Sequence, residues 1–289
     1  MLIRSKSGSS AYGAALMKAT EMFVPPRQRL FEDPVILSCL PGPLRFAIQR
    51  RWFRERFMAT LDRGAPGVRG ALLCRTRYVD DAVTDAITRG LRVVVILGAG
   101  LDTRPYRLSA LRTARILEAD LPAVQQFKKA RLARHFGALP SHVQFVPLDF
   151  TVDRLNTRLA EAGLDPHEPA MFVWEGVTQY LPPDSVDEVL QVVAAHAKGS
   201  EVVFTYVLNE AVTQQFRPDR DEAFRKAASR HPEQWYFGIE ASLIRRFLSD
   251  RGLTLLEDAG AKEHSARYLR PTGRELLISE IERIARACV

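Results

Sequence analysis

Several features that would assign this chain quickly are scarce or missing. Cysteine is limited to Cys39, Cys74 and Cys288, far apart and odd in number. No C-x-x-C occurs, so neither a zinc site nor a disulfide framework is indicated. The six histidines are dispersed without an H-x-x-x-H, and no metal is expected. The longest apolar run, around Val93–Leu97, is far short of the roughly 20 residues that span a bilayer. Met1–Ser10 carries charge but no apolar core, so no signal peptide is read. Internal repeats, low-complexity segments and polybasic tails are absent, as are RNA-binding signatures. A reducing, cytoplasmic setting without membrane insertion is the expectation.

What is present describes an ordinary core. Among 289 residues, 46% are hydrophobic and 26% charged, which excludes disorder. The net charge of +7 raises nucleic-acid or anionic-membrane binding. The basic residues are mostly arginines scattered among acids, so nucleic acid is not expected.

Residues 1–80 read as helices broken by Pro25-Pro26, Asp33-Pro34, Pro41-Gly42-Pro43 and Gly64-Ala65-Pro66-Gly67. One helix is expected from about Leu44 to Asp62, with Phe46, Phe53, Phe57 and Leu61 on one stripe. Its other side carries Arg50, Arg51, Arg54 and Arg56. That side is either a solvated face or a docking face for an acidic partner, such as a carrier protein or anionic lipid.

From residue 91 short apolar runs alternate with helical patterns. Strands are expected at Val93–Leu97, Arg115–Ala119, Val143–Leu148, Ala170–Trp174, Glu201–Val207 and Leu253–Glu257. Helices are expected from Pro122 to about His135, from Pro183 onward and over Glu240–Asp250. Periodicity leaves Leu276–Val289 open between strand and helix. This rhythm implies an α/β chain with an open, mostly parallel, doubly wound sheet. The expected division is an N-terminal helical cap over 1–85 and a core over 86–289, with a helical insertion at about 209–237.

In such sheets ligands sit outside the carboxyl ends of the strands. The residues there are Gly98-Ala99-Gly100, Glu118-Ala119-Asp120, Leu148-Asp149-Phe150 and Glu175-Gly176. Glycines admit a ligand close to the backbone. Asp120, about 20 residues beyond them, suits ribose hydroxyls. Asp149 and Phe150 suit an adenine, the carboxylate taking the amine and the ring packing on the base. Capping or loop roles are the plain alternatives for each carboxylate alone.

A nucleoside-type cofactor fits this set. A dinucleotide would call for G-x-G-x-x-G, but the third position is Thr103, and Asp102 would face a pyrophosphate. Acidic residues suit S-adenosylmethionine, which has no phosphate and carries a sulfonium and an ammonium. An NAD(P)-dependent oxidoreductase is the alternative from another class; a non-catalytic S-adenosylmethionine-binding protein is a third reading. Tyr180 and Tyr206, near the ends of the fourth and fifth strands, are candidates to orient an acceptor oxygen or else line a pocket.

The run Ile96-Leu97-Gly98-Ala99-Gly100-Leu101-Asp102-Thr103-Arg104-Pro105-Tyr106-Arg107-Leu108 resembles the cofactor loop of the leucine carboxyl methyltransferase family. Arg75-Thr76-Arg77-Tyr78-Val79-Asp80-Asp81, Glu118–Pro122, Glu175–Pro182 and Leu30–Pro34 agree with it in order and spacing. The resemblance implies a class I methyltransferase fold, Rossmann-like, with seven strands, the last antiparallel. It implies that Arg75 clamps the methionine carboxylate and that Gly98 lies beneath the amino-acid part. By the same resemblance Asp120 binds ribose, Asp149 and Phe150 hold adenine, and Glu175 takes the ammonium. One departure stands out. The family's arginine for the acceptor carboxylate, directly after the adenine pair, is Thr151 here. The resemblance therefore implies S-adenosylmethionine-dependent O-methylation of a small-molecule carboxylate, phenol or hydroxyl rather than of a protein C-terminus.

Overall fold

Val93–Leu97 is buried at every position because a strand pairs on each edge and helices cover both of its faces. The computed structural model describes residues 6–213 and 235–289. In it β1 (Val93–Leu97) lies between β2 (Arg115–Asp120) and β4 (Ala170–Trp174), parallel to both. Outward follow β3 (Val143–Pro147) beyond β2 and β5 (Glu201–Val207) beyond β4, also parallel. The last strand, β7 (Glu282–Cys288), slots antiparallel between β5 and β6 (Thr254–Ala259). The sheet thus has seven strands in the order β3-β2-β1-β4-β5-β7-β6. The ambiguity over 276–289 resolves to a strand because two ladders, one on each edge, await it.

Alternate residues of β1 feed opposite cores, as a period of two requires. Val94 and Ile96 pack with Val79, Ala82, Val83 and Ala86 of α5 (Val68–Thr88). Val93, Val95 and Leu97 pack with Val186, Val189, Leu190 and Val193 of α9 (Pro183–Ala194). Each such side chain contributes about 1.5–3 kcal/mol on burial, so β1 alone gives roughly 10 kcal/mol before chain entropy. The end of the 1–85 stretch, α5, is thus one of the layers that cover the sheet.

The other N-terminal helices are α1 (Lys6–Thr20), α2 (Ile36–Cys39), α3 (Gly42–Ile48) and α4 (Arg51–Gly64). Val35, Ile36, Cys39, Leu40 and Ile48 pack on Phe127 and Leu132 of α7 (Pro122–Phe136). Gly137, just beyond α7, has φ +80°, the left-handed turn that ends the helix.

One expectation needs correction. The single helix over Leu44–Asp62 is two helices, α3 and α4, parted where Arg50 turns extended (φ −85°, ψ 124°). Arg54 Nη1 donates to the freed carbonyls of Ile48 and Gln49, at 2.9 and 2.8 Å, which satisfies the end of α3. Phe46 consequently leaves the stripe and is 61% exposed, while Phe53 stacks on Phe57.

The expected insertion at 209–237 begins with a short helix, Asn209–Val212. Its residues 214–234 lie outside the described residues. No helix among the described residues is long and apolar enough to cross a membrane.

Candidate active site

The strand order reverses around β1, so the crevice between the carboxyl ends of β1 and β4 is where a ligand fits. The chain leaves β1 through Gly98 and Gly100, both with positive φ (64° and 43°). A Cβ on Gly98 would collide with the Val177 side chain, whereas one on Gly100 would meet only the Gly98 carbonyl at 3.8 Å. The Gly100 N–H donates to Asp120 Oδ2 at 2.5 Å, and the Leu121 N–H donates to Oδ1 at 2.6 Å. Asp120 makes no side-chain cap for α7, whose N-cap is Leu121. Burial pushes its carboxyl pKa up, against the pull of those two N–H groups.

Glu175 ends β4 and gathers three cations. Oε1 meets Arg75 Nε at 3.0 Å and Lys18 Nζ at 3.5 Å, and Oε2 meets Arg104 Nη1 at 2.7 Å. Burial opposes its ionisation, but Arg104, Lys18 and Arg75 together hold its carboxyl well below the usual range. Arg75 also binds Glu282 at the start of β7. Burial pushes the Lys18 ammonium down and the Glu282 carboxyl up. Gly176, next in the chain, has φ +72° and passes under Arg75, whose Nη2 would lie 3.1 Å from an added Cβ. Its N–H donates to Thr205 Oγ1 at 2.7 Å, which ties the end of β4 to β5.

Behind this rim lies a buried ionic frame. Arg104, 1% exposed, reaches Asp80 at 2.7 Å and Asp102 at 2.6 Å as well as Glu175. Arg107 reaches Asp80 at 2.7 Å and Asp33 at 3.4 Å. Asp33 in turn accepts from Thr103 Oγ1 at 2.5 Å, pinning the N-terminal helices to the glycine loop. Beneath Asp120, Glu118 pairs with Lys128 at 2.7 Å, both essentially inaccessible, and burial pushes the Glu118 carboxyl up to about 7.

The remaining expected residues are placed as follows. Asp149 Oδ1 accepts from the Thr151 N–H at 2.9 Å and from its hydroxyl at 2.7 Å. Phe150 is half-buried, its ring 6.4 Å from that of Trp174. Tyr180 closes a short turn, Thr178–Tyr180, beside Gln179, whose carbonyl accepts the Tyr236 N–H at 2.8 Å. The structure therefore brings Arg75, Gly98, Gly100, Asp120, Glu175 and Tyr180 to the same end of the sheet. Tyr206 lies one position from the end of β5. It is fully buried, its hydroxyl donates to Asp258 at 3.0 Å, and it packs toward Phe204 on the α9 side of the sheet. Its side chain is therefore held by the core.

Sequence reasoning missed Lys18 and Glu282, which come from opposite ends of the chain and lie outside every motif read there. It also missed Arg104, which stands inside the quoted run but carries no expectation of its own. Two arginines, Arg104 and Arg107, one helical turn apart just after Asp102 were the available signal for buried carboxylates nearby.

A family model for leucine carboxyl methyltransferase matches residues 11–194. A relative from Mycolicibacterium gilvum, named as an S-adenosyl-L-methionine-dependent methyltransferase, is 35% identical over 232 residues, covering 75% of this chain and 72% of that one. A similarly named relative from Frankia alni is 31% identical over 223 residues, covering 73% of this chain and 72% of its own. Among solved structures, a protein from Thermobifida fusca described as a methyltransferase aligns with TM-score 0.58 at 18% identity, covering 91% of this chain and 97% of that one. A DUF574 family protein from Streptomyces avermitilis aligns with TM-score 0.54 at 15% identity, covering 82% and 90%. At those identities the two structures speak to the fold, which is that of the class I methyltransferases. With the family model spanning most of the chain, and with relatives that share its sequence over nearly three quarters of its length, the chain belongs to the leucine carboxyl methyltransferase family, whose members are S-adenosylmethionine-dependent methyltransferases.

Proposed function

We propose that this methyltransferase transfers the methyl group to an oxygen of a small-molecule carboxylate, phenol or hydroxyl. The observation that carries the reading is Thr151. The family's carboxylate-binding arginine is replaced by a hydroxyl that folds back on Asp149 at 2.7 Å, so nothing at that position grips a protein C-terminus.

The residues present fit S-adenosylmethionine. Its amino-acid part is a zwitterion, and the partly open members of the ionic cluster include both signs: Arg75, Lys18, Glu175 and Glu282 keep 15, 12, 8 and 16% of their side-chain surface. Arg75 and Lys18 suit its carboxylate and Glu175 its ammonium. Gly98 and Gly100 leave the backbone bare for close approach, and Asp120 suits the ribose. Asp149 retains Oδ2 for the adenine amine, with Phe150 against the base. Residues 1–85 then form a cap, and the described flanks of the insertion, 209–213 and 235–237, border the acceptor side, since they are stitched beside Tyr180 and β5.

When bound, S-adenosylmethionine supplies an electrophilic methyl on a sulfonium. The protein's contribution is alignment and exclusion of water. Glu175, held ionised by three cations, fixes the amino-acid end of the donor, so the reacting end has one orientation. An ionised carboxylate acceptor needs no base, whereas a phenol is oriented by Tyr180.

Incubation with S-adenosylmethionine and a panel of phenols, carboxylic acids, amines and thiols, with products located by NMR, tests this. Methyl groups on oxygen are the expected result. Methylation confined to nitrogen or sulfur, or turnover of a peptide ending in a free leucine carboxylate, overturns it. Binding of S-adenosylmethionine without turnover of any acceptor class returns the non-catalytic reading.

A further inference from the structure

Ser38 of α2, Arg45 of α3 and Arg131, Arg134 and His135 of α7 line one surface hollow of about 210 Å³. Several arginines of this chain hold a carboxylate, including Arg75, Arg104, Arg107 and Arg274, while others among the described residues, such as Arg50, Arg56 and Arg112, do not. Among the described residues, Arg45, Arg131 and Arg134 hold none, and Arg131 lies instead over the Phe127 ring at 5.0 Å. The two segments that build the hollow explain why. Residues 34–54 and 121–148 contain no Asp or Glu. Three guanidinium groups brought together without a counter-charge repel one another, and an anion relieves that repulsion. Guanidinium forks and an imidazole together suit the tetrahedral oxygens of a phosphate, whereas the Ser38 hydroxyl donates to the Val35 carbonyl at 2.6 Å.

The rim of the hollow is aromatic as well as basic. The Phe136 ring sits 4.5 Å from that of His135 and is 41% exposed. Phe46, next to Arg45, is 61% exposed with Arg50 over its ring at 4.5 Å. Trp52, in the first turn of α4, is 66% exposed. Phe136 and Phe46 adjoin the lining residues His135 and Arg45 in the chain, and such exposed rings suit a soft apolar layer while the arginines meet its charged surface.

We propose that this face docks on an anionic lipid surface, with the hollow taking a lipid phosphate. An acidic protein would satisfy the arginines but leave Phe46 and Trp52 uncovered. The placement leaves the active site free. α7 starts beside Asp120 and carries the hollow's arginines toward its other end, about 14–18 Å along the helix. Docking there keeps the carboxyl ends of the strands away from the membrane.

Flotation of the full chain with vesicles of phosphatidylcholine, alone or mixed with phosphatidylglycerol, tests the proposal. Binding is expected only to the mixed vesicles and falls as salt rises. Each basic residue at such a surface is worth about fivefold, so R45Q/R131Q/R134Q loses roughly a hundredfold in partitioning. F46A/W52A loses binding separately, with unchanged thermal melting showing that both variants fold. Unchanged partitioning of a folded triple variant, or equal binding to neutral vesicles, overturns the proposal. So does saturation by inorganic phosphate, followed through the His135 ring signals, without vesicle binding; that outcome leaves a free-anion site. Arginine-dependent binding of an acidic protein with no vesicle binding assigns the face to a protein partner instead.

Discussion

Replacing Asp120 by asparagine removes one charge from the end of β2 while keeping the shape of the side chain. Two backbone N–H groups point at that carboxylate, from Gly100 at 2.5 Å and Leu121 at 2.6 Å. Asparagine can accept only one of them, and its amide would turn a donor toward the other. A hydrogen bond to a charged group is worth about 1.5–3 kcal/mol, which bounds the loss at the glycine loop. Burial already disfavours the charge on Asp120, so part of that cost is returned, and the fold should lose only a few degrees in Tm. The ligand sees more. Ribose hydroxyls donating to an ionised carboxylate lose about the same 1.5–3 kcal/mol, or roughly ten- to a hundredfold in affinity. Calorimetry with S-adenosylmethionine on the natural chain, Asp120→Asn and Asp120→Ala, with NAD and NADP as controls, reads this directly. The natural chain should bind S-adenosylmethionine alone, with affinity falling stepwise through the two variants. Unchanged affinity in a folded Asp120→Asn protein would refute the ribose assignment, and a preference for NAD(P) would refute the site.

Other residues give equally direct readouts. Glu175→Gln leaves Arg104, Arg75 and Lys18 sharing a neutral partner; we expect about 3–5 kcal/mol less stability in urea unfolding and no measurable S-adenosylmethionine binding. A loss under about 1 kcal/mol would mean that the cluster is not coupled. Gly98→Ala meets both a collision with Val177 and a backbone at φ +64°, so about 1–3 kcal/mol should be lost, and adding Val177→Ala should restore only part of it. Full recovery in that double variant would show that space alone matters. Glu118 carries a folded pKa raised to about 7 against 4.5. The folded state therefore binds more protons than the unfolded state between those values, and this group's contribution to stability falls as pH rises across the window. The upper bound is about 3 kcal/mol, and Glu118→Gln should flatten that slope in unfolding measured from pH 5 to 8. Identical slopes would place the titration elsewhere.

The legible parts of the fold were those where one pattern decides. Val93–Leu97, Ala170–Trp174 and Glu201–Val207 are fully buried runs that only interior strands tolerate, and they appear with the expected ends. Leu276–Val289 was ambiguous because its strand is specified by two long-range ladders rather than by local pattern. The helix from Leu44 broke at Arg50 because Arg54 can cap the carbonyls of Ile48 and Gln49, an interaction that periodicity does not encode. At the site, residues immediately after strands were readable because topology places them. Lys18 and Glu282 were not, since they meet Glu175 and Arg75 only once the first helix and the last strand are docked. Tyr206, near the end of β5, turns its side chain into the core, an outcome its place in the sequence does not encode. A period of two sends it to Phe204 and Asp258 and leaves its neighbour Thr205 to serve the site.

The loop from Gly98 to Arg107 also changes the grounds on which a dinucleotide is excluded. Read as sequence, Asp102 repels a pyrophosphate. In the fold its charge is already consumed, since Arg104 holds it at 2.6 Å and its pKa is depressed despite burial. Thr103, where a third glycine would stand, does not face a ligand either; its hydroxyl is spent on Asp33. The second half of the run is therefore a brace that fixes the first half against α5 and the N-terminal helices through Asp80 and Asp33. Discrimination moves to the rim, where Glu175 stands within 3.5 Å of Lys18 and 3.0 Å of Arg75. A pyrophosphate brings only negative charge and would sit against Glu175 and Glu282. A zwitterion can satisfy the cations and the carboxylates at once, and under the proposed assignment of the rim that match, rather than the missing glycine, is the physical basis for preferring S-adenosylmethionine.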